Sequence, residues 1–220
     1  MTDALTIISN GFFILPASEA IHRRRWTRAC IYILTLICSS IYHTCNSFNG
    51  QCAGLPPHVA RGMDFFFAQL TIPLSALYII DFSEELYWLE RVLIITFAFV
   101  IFLLEQYFES TLVLQLILSA ISFSFIVVYW IWYSQTKANG KESVFPPYNW
   151  DHFGLGIGLT ALATVLFVVE MIMPPFYWAV HSVWHVNAAL GQYFLLNIWP
   201  ARDAQEWVRR GFVPLDKRWD

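Results

Sequence analysis

Residues 110–133 read "STLVLQLILSAISFSFIVVYWIWY" and carry no charged side chain over their whole length. A helix of about 20 consecutive apolar residues is long enough to cross the hydrocarbon core of a bilayer. This stretch therefore predicts a transmembrane helix, and it sets the class of fold to look for in the remainder of the chain.

The composition of the whole chain agrees with that prediction. Of its 220 residues, 57% are hydrophobic, 18% are aromatic and only 13% are charged, which is far more apolar than a soluble domain. We therefore expect a multi-pass membrane protein built as one helical bundle, with no separate soluble domain and no nucleic-acid partner. The net charge of −3 decides little, because the distribution of charge matters more than its sum in a membrane protein.

Further apolar stretches of suitable length predict an all-α fold with seven transmembrane helices. The first stretch is the weakest, because it contains polar residues, a glycine and a proline. We expect residues 1–199 to form the membrane domain and residues 200–220 to form a short cytoplasmic tail. The predicted spans are 4–21, 27–45, 63–81, 89–107, 110–133, 154–173 and 176–198.

Basic residues predict the orientation of the bundle. Cytoplasmic loops carry an excess of Lys and Arg. If the N-terminus is outside, twelve of the thirteen Lys and Arg residues fall in the inner segments, and only Arg61 lies outside. The sequence therefore predicts an outer N-terminus and a cytoplasmic C-terminus. The inner segments are "HRRRWTR", "DFSEELYWLER", "SQTKANGKESVFPPYNWDH" and the tail "ARDAQEWVRRGFVPLDKRWD".

Two histidines stand four residues apart in the last apolar stretch, in "HSVWH" at residues 181–185. Four residues are about one helical turn, so both imidazoles project from the same face of a helix. Such a pair can bind a metal if a third ligand comes from another helix. The alternative is a pair of interior histidines that hydrogen-bond to neighbouring helices.

The predicted topology brings further polar residues to the same depth as this pair. His43 falls near the outer end of the second span, with Ser39 one turn below it, and Asp64 opens the third span. His181 and His185 occupy the outer half of the seventh span. Three histidines from two helices, with a carboxylate nearby, match a zinc site that has three protein ligands and a water. The other three histidines fall in predicted loops, where we expect them to be solvated: His22, His58 and His152.

The four cysteines divide into two pairs. Cys45 and Cys52 flank the predicted outer loop "CNSFNGQC", on the oxidising side of the membrane. A disulfide that closes this loop would brace the ends of spans two and three, whereas two free thiols are the alternative. Cys30 and Cys38 lie within the second span, where we expect them to be small core residues.

These residues, taken in order, resemble the signature of a seven-helix hydrolase superfamily that includes alkaline ceramidases and adiponectin-type receptors. The matching elements are Ser39-x3-His43, Asp64 and His181-x3-His185. Within the superfamily, "IYHTCN" and "VHSVWH" are similar to the myomaker branch of the transmembrane protein 8 family. The larger members of that family carry an ectodomain before the seven helices, and the layout of this sequence resembles the myomakers instead. One departure is a tail without cysteine, where vertebrate myomakers carry a cysteine cluster suited to lipidation.

The resemblance implies a zinc cofactor held by His43, His181 and His185, with Ser39 and Asp64 lining the site. It implies a plasma-membrane or Golgi protein that promotes fusion of myoblast membranes. The alternative is a zinc-dependent lipid hydrolase at the outer leaflet, in which Asp64 and Ser39 would be catalytic. Membrane lipids are the expected partners, and a homodimer and a second fusion protein remain open.

Overall fold

The computed structural model describes residues 2–47, 54–80, 82, 87–105, 111–137 and 145–199, and these form an all-α bundle. Eight α-helices follow one another, with short 3₁₀ turns at Gly11–Phe13 and Pro174–Phe176. The helices are α1 Thr2–Asn10, α2 Ile14–His22, α3 Trp26–Ser47, α4 Pro57–Ile80, α5 Tyr87–Glu105, α6 Thr111–Lys137, α7 Trp150–Ile172 and α8 Tyr177–Leu196. The predicted tail, residues 200–220, lies outside the described residues.

Prolines and a cap explain several helix boundaries. Pro16 has no backbone N–H, so it cannot donate a helical hydrogen bond to the carbonyl of Phe12. The 3₁₀ turn Gly11–Phe13, between α1 and α2, contains Phe12. Pro57 occupies the first position of α4, where an N–H has no helical partner anyway. Asn149 caps α7, because its side chain accepts a hydrogen bond from the His152 backbone N–H.

Six helical segments among the described residues are long and apolar enough to cross a membrane. They run over Ala4–His22, Trp26–Ser47, Pro57–Ile80, Tyr87–Glu105, Leu112–Thr136 and Trp150–Glu170. The first six predicted spans are therefore confirmed as helices with the required length and apolarity. The third begins six residues earlier than predicted, at Pro57 instead of 63, because its first turns are polar and an apolar pattern does not include them.

The last helix, α8, is different from the other six. It has 20 residues, about 30 Å at 1.5 Å per residue, but its polar side chains place it below the apolarity of the other segments. It packs most extensively against α7 and also contacts α1, α2 and α4. Because these neighbours cover α8, its polar side chains lie inside the bundle.

The outward faces of α5, α6 and α7 are apolar. Ile95, Phe99, Phe123, Val128 and Val165 are each more than half exposed. Such a continuous apolar surface is typical of helices in contact with lipid, so the described residues form a bundle of the membrane type.

The bundle has two polar ends. We name the end where α3 finishes and α4 starts the histidine end, after His43, His181 and His185. The opposite end, where α3 starts and α4 finishes, is the arginine end, after Arg23, Arg25 and Arg28.

Candidate metal centre

Three buried histidines converge at the histidine end of the bundle. His43 comes from α3, and His181 and His185 come from successive turns of α8. One ring nitrogen from each lies within 4.8 Å of the other two. The two Nε2 atoms of His43 and His181 are 3.1 Å apart. The three histidines selected from the sequence are therefore brought together, and they can form a metal site.

Hydrogen bonds behind two of the rings determine which nitrogen carries the proton. The Glu170 carboxylate lies 2.7 Å from His181 Nδ1. Because a carboxylate only accepts, Nδ1 is the donor and Nε2 is left with its lone pair. Ser9 Oγ donates its only proton to the Thr6 carbonyl at 2.8 Å and therefore accepts from His185 Nδ1 at 2.9 Å. His185 Nε2 is then an acceptor as well.

The resulting arrangement has more acceptors than donors. Two imidazole lone pairs, on His181 and His185, face the interior of the cluster, and His43 Nε2 can supply one proton at most. Among the described residues, the buried His185 Nε2 has no hydrogen-bond partner. An unsatisfied buried acceptor costs about 1–3 kcal/mol. A bound cation would satisfy all three nitrogens at once, and histidines that ligate metals commonly donate their other N–H to a carboxylate in this way.

Asp64 and Ser39 border the cluster, as the sequence predicts. The Asp64 side chain is 8% exposed, and its Oδ2 lies 3.9 Å from His43 Nε2. Ser39 is 2% exposed, and its hydroxyl is close enough to the Asp64 carboxyl to interact with it by hydrogen bonding. The two groups therefore lie together beside the histidines.

Aromatic rings surround the histidines. Tyr177 stacks on His181 with 4.8 Å between ring centroids, and Tyr42 lies 5.0 Å from His43. Trp184 lies 5.1 Å from His181 and 4.8 Å from His185. These rings restrict access of water to the ligand nitrogens.

The sequence analysis missed Glu170 and Ser9. Glu170 is the only charged residue within 154–173, and an ionisable residue inside a predicted span is a functional candidate. That signal was sufficient to find Glu170. Ser9 gave no comparable signal, because a serine in a span can satisfy its hydroxyl with the carbonyl of the preceding turn.

Other expectations about single residues had mixed outcomes. His22 and His58 are exposed, as predicted. The prediction for His152 was wrong: it lies half-buried in the first turn of α7, with Nδ1 3.1 Å from the Asn197 carbonyl. Cys38 is buried, but Cys30 is exposed on the outer face of α3.

The predicted Cys45–Cys52 pairing falls partly outside the described residues. Cys45 is buried in the last turns of α3, next to Ala60 of α4. Cys52 lies in the segment that is not described, so the disulfide stays a prediction.

Comparison with known proteins identifies the family of the chain. No curated protein matches the chain at a significant level. A family model described as "Protein of unknown function (DUF3522)" matches residues 1–186, a range that contains all three histidines and Asp64. Since this range covers most of the sequence, the chain belongs to the DUF3522 family.

Proposed function

We propose that the chain spans the plasma membrane seven times, with its N-terminus outside and its C-terminus in the cytoplasm. The distribution of Lys and Arg supports this orientation. The length of α8 and its position among α1, α2, α4 and α7 support its role as the seventh span. An epitope tag at residue 1 should then stain intact cells, and staining only after permeabilisation would reverse the orientation.

The metal that fits the three histidines best is zinc. In a tetrahedral zinc site with Zn–N distances of about 2.0–2.1 Å, two ligand nitrogens lie about 3.3 Å apart. The 3.1 Å between His43 Nε2 and His181 Nε2 is close to that value. Three neutral imidazoles leave a fourth coordination position. Either Asp64 itself or a water molecule that donates a hydrogen bond to Asp64 would occupy it.

The cellular function that we propose is fusion of plasma membranes between cells, as in the myomakers. The observation that carries this proposal is the convergence of His43, His181 and His185, with Ser39 and Asp64 at their border. These are the residues on which the resemblance to that branch rests. In this role zinc would hold α3 and α8 together, and membrane lipids, a second copy of the chain or a fusion protein would be its partners.

The experiment is to express the chain in cells that do not fuse and to score mixing of two differently labelled populations. The wild-type chain should produce cells that contain both labels, and His43→Ala should not. Asp64→Asn should retain at least part of the activity if zinc only fixes the helices. No mixing with a wild-type chain that reaches the cell surface, alone or with a fusion protein supplied, would contradict the proposal.

A second candidate function is zinc-dependent hydrolysis of a lipid amide or ester. It is favoured by a cavity of about 50 Å³ beside the histidines, with Trp184 in its wall. The cavity lies between α6 and α7, which pack on α4 and α8 rather than on each other. The Gln69 side chain lines it and is buried without a hydrogen-bond partner among the described residues. The histidines do not line the cavity themselves, but Trp184 in its wall lies against His181 and His185.

In that candidate, bound zinc would supply a Lewis acid that lowers the pKa of its water to about 7. Asp64 would accept a proton from this water while the oxygen of the water bonds to the carbonyl carbon of the lipid. The Ser39 hydroxyl would donate a hydrogen bond to the developing oxyanion. The proton would then pass from Asp64 to the leaving nitrogen or oxygen as its single bond to the acyl carbon breaks and the carbonyl re-forms.

Asp64→Asn and Ser39→Ala separate the two candidates. Both variants should keep zinc, because neither residue belongs to the three-histidine set. A hydrolase should lose release of fatty acid from ceramide or phospholipid in both variants, whereas a fusion factor should still mix cells. Loss of cell mixing in a zinc-loaded Asp64→Asn protein at the cell surface would instead indicate chemistry at the metal.

A further inference from the structure

Arg61 lies on the exposed surface at the histidine end of α4, and we call this surface the mouth of the site. It is on α4, three residues before Asp64, and is therefore about 4.5 Å nearer the helix start on a similar face. Arg61 is exposed. Its guanidinium packs over the Phe65 ring at 5.3 Å, and no carboxylate of the described residues forms an ion pair with it.

Two tyrosines lie near both Arg61 and the histidines. The guanidinium is close enough to interact electrostatically with both Tyr42 and Tyr177. These are the tyrosines whose rings lie against His43 and His181. Neither phenol hydroxyl forms a hydrogen bond with another described residue. The guanidinium and the two phenol hydroxyls are all able to donate hydrogen bonds.

The charge balance of the site favours an anion at this mouth. With zinc bound as proposed above, its charge of +2 is offset by Asp64 and Glu170, at −1 each, while the three imidazoles are neutral. Arg61 then adds a positive charge that no carboxylate of the described residues pairs with. An arginine fork matches the oxygens of a phosphate in a bidentate arrangement, and it offers no acceptor to a cation.

We propose that Arg61, Tyr42 and Tyr177 form a subsite that binds the phosphate diester of a lipid headgroup. The depth of Arg61 at the start of a membrane-spanning helix is the depth at which such headgroups lie. Phe65, under the guanidinium, also lines the cavity between α6 and α7. A phospholipid held at Arg61 can therefore extend its hydrocarbon along the same wall. This inference rests on the proposed zinc centre and names phospholipid as the class of lipid that approaches it.

The test measures lipid binding to the purified, zinc-loaded full chain in non-ionic detergent by native mass spectrometry. The probes are dihexanoylphosphatidylcholine, dihexanoylglycerol, which has the same chains but no phosphate, and inorganic phosphate. Arg61→Gln should weaken binding of phosphatidylcholine about tenfold or more, because it removes a charge-assisted hydrogen-bonding group. Arg61→Lys should weaken it less, and Tyr42→Phe or Tyr177→Phe should each weaken it a few-fold.

The matched control is Arg91→Gln, which removes an exposed arginine of α5 at the arginine end. It should leave binding of phosphatidylcholine unchanged. Binding of dihexanoylglycerol should be insensitive to Arg61→Gln. An equal loss for both lipids would overturn the phosphate subsite, since Arg61 would then act through the fold. If inorganic phosphate binds as tightly as phosphatidylcholine, the proposal that the subsite recognises the phosphate of a lipid is overturned.

Zinc content measured on the same samples separates this inference from the proposed function. If the protein carries its full zinc but neither Arg61→Gln nor Arg61→Lys changes phosphatidylcholine binding, the subsite is overturned and the zinc centre stands. Absence of zinc from a wild-type protein whose phosphatidylcholine binding still depends on Arg61 would overturn the zinc centre and leave the subsite standing.

Discussion

The two ends of the bundle bury ionisable side chains to a similar depth but satisfy them differently. At the arginine end, the Arg28 and Glu90 side chains are 4% and 7% exposed and form an ion pair. At the histidine end, the His181 and Glu170 side chains are likewise 4% and 7% exposed. Burial alone therefore does not distinguish a structural cluster from a functional one.

The difference lies in the partners. Glu90 accepts from Arg28 Nε at 2.5 Å and from Arg25 Nη1 at 3.2 Å. Arg28 also donates to the Leu77 carbonyl and packs over the Tyr78 ring at 3.8 Å. Arg25, Arg28 and Glu90 are paired with one another, so this ion-pair cluster is complete without a ligand. At the histidine end, His185 Nε2 has no hydrogen-bond partner among the described residues, and a buried imidazole nitrogen without a partner is the property expected of a metal site.

The largest effect on stability is expected at the arginine end. Glu90→Gln leaves two guanidiniums next to a neutral amide, and removing one partner of a buried ion pair lowers the free energy of unfolding by about 3–5 kcal/mol. Thermal unfolding in detergent measures the change. Because this cluster needs no metal, the loss should be the same with and without added zinc. A loss that zinc reverses would break the distinction between the two ends.

A smaller effect is expected from the predicted Cys45–Cys52 disulfide beside the histidine end. Reduction should lower the free energy of unfolding by about 2–4 kcal/mol, since it releases the loop between α3 and α4. Cys45→Ser should have the same effect, and Cys30→Ser, on an exposed position, serves as the control. Mass spectrometry that finds both thiols free in protein from cells would rule out the bridge.

The next effect in size is expected from Glu170, which hydrogen-bonds to a metal ligand but is not a ligand itself. Glu170→Gln keeps the shape but weakens the hydrogen bond to His181 Nδ1, so zinc affinity should fall by about 10–100-fold. A competition titration with a zinc chelator gives the affinity. Ser9→Ala, which removes the acceptor of His185 Nδ1, should cause a loss in the same direction. Unchanged affinity in both variants would mean that these hydrogen bonds do not orient the ligands.

The smallest effect is expected from an ion pair that is only partly buried. Arg23 Nε lies 2.6 Å from Glu19 Oε1, with side chains 22% and 17% exposed, and Arg23 also donates to Asn197. Glu19→Gln should lower the free energy of unfolding by no more than about 1 kcal/mol. An effect equal to that of Glu90→Gln would show that burial is not what separates the two pairs.

The sequence was sufficient for much of the fold and part of the site. Apolar length predicted six helices that the structure contains, because this signal arises from single segments in contact with lipid. The i, i+4 spacing of His181 and His185 predicted a shared face. His43 was predicted to join them because the predicted topology places it at the same depth in the membrane as His181 and His185.

What escaped prediction depends on packing between helices. The hydrogen bond from His185 Nδ1 to Ser9 Oγ joins residues 176 positions apart, and no local pattern encodes it. The half-buried position of His152 follows from the end of α8 packing against the start of α7. Cys30 is exposed because it lies away from the buried face of α3, which carries the polar residues Arg28, Thr35, Ser39 and His43.

The central claim is that His43, His181 and His185 hold one zinc ion at the histidine end. Metal analysis of the purified wild-type protein by plasma mass spectrometry tests it most directly, with a His181→Ala, His185→Ala double variant and Glu90→Gln measured in parallel. The account predicts one zinc per chain in the wild type, essentially none in the double variant and unchanged zinc in Glu90→Gln. Wild-type protein without zinc, or zinc retained in the double variant, would contradict it.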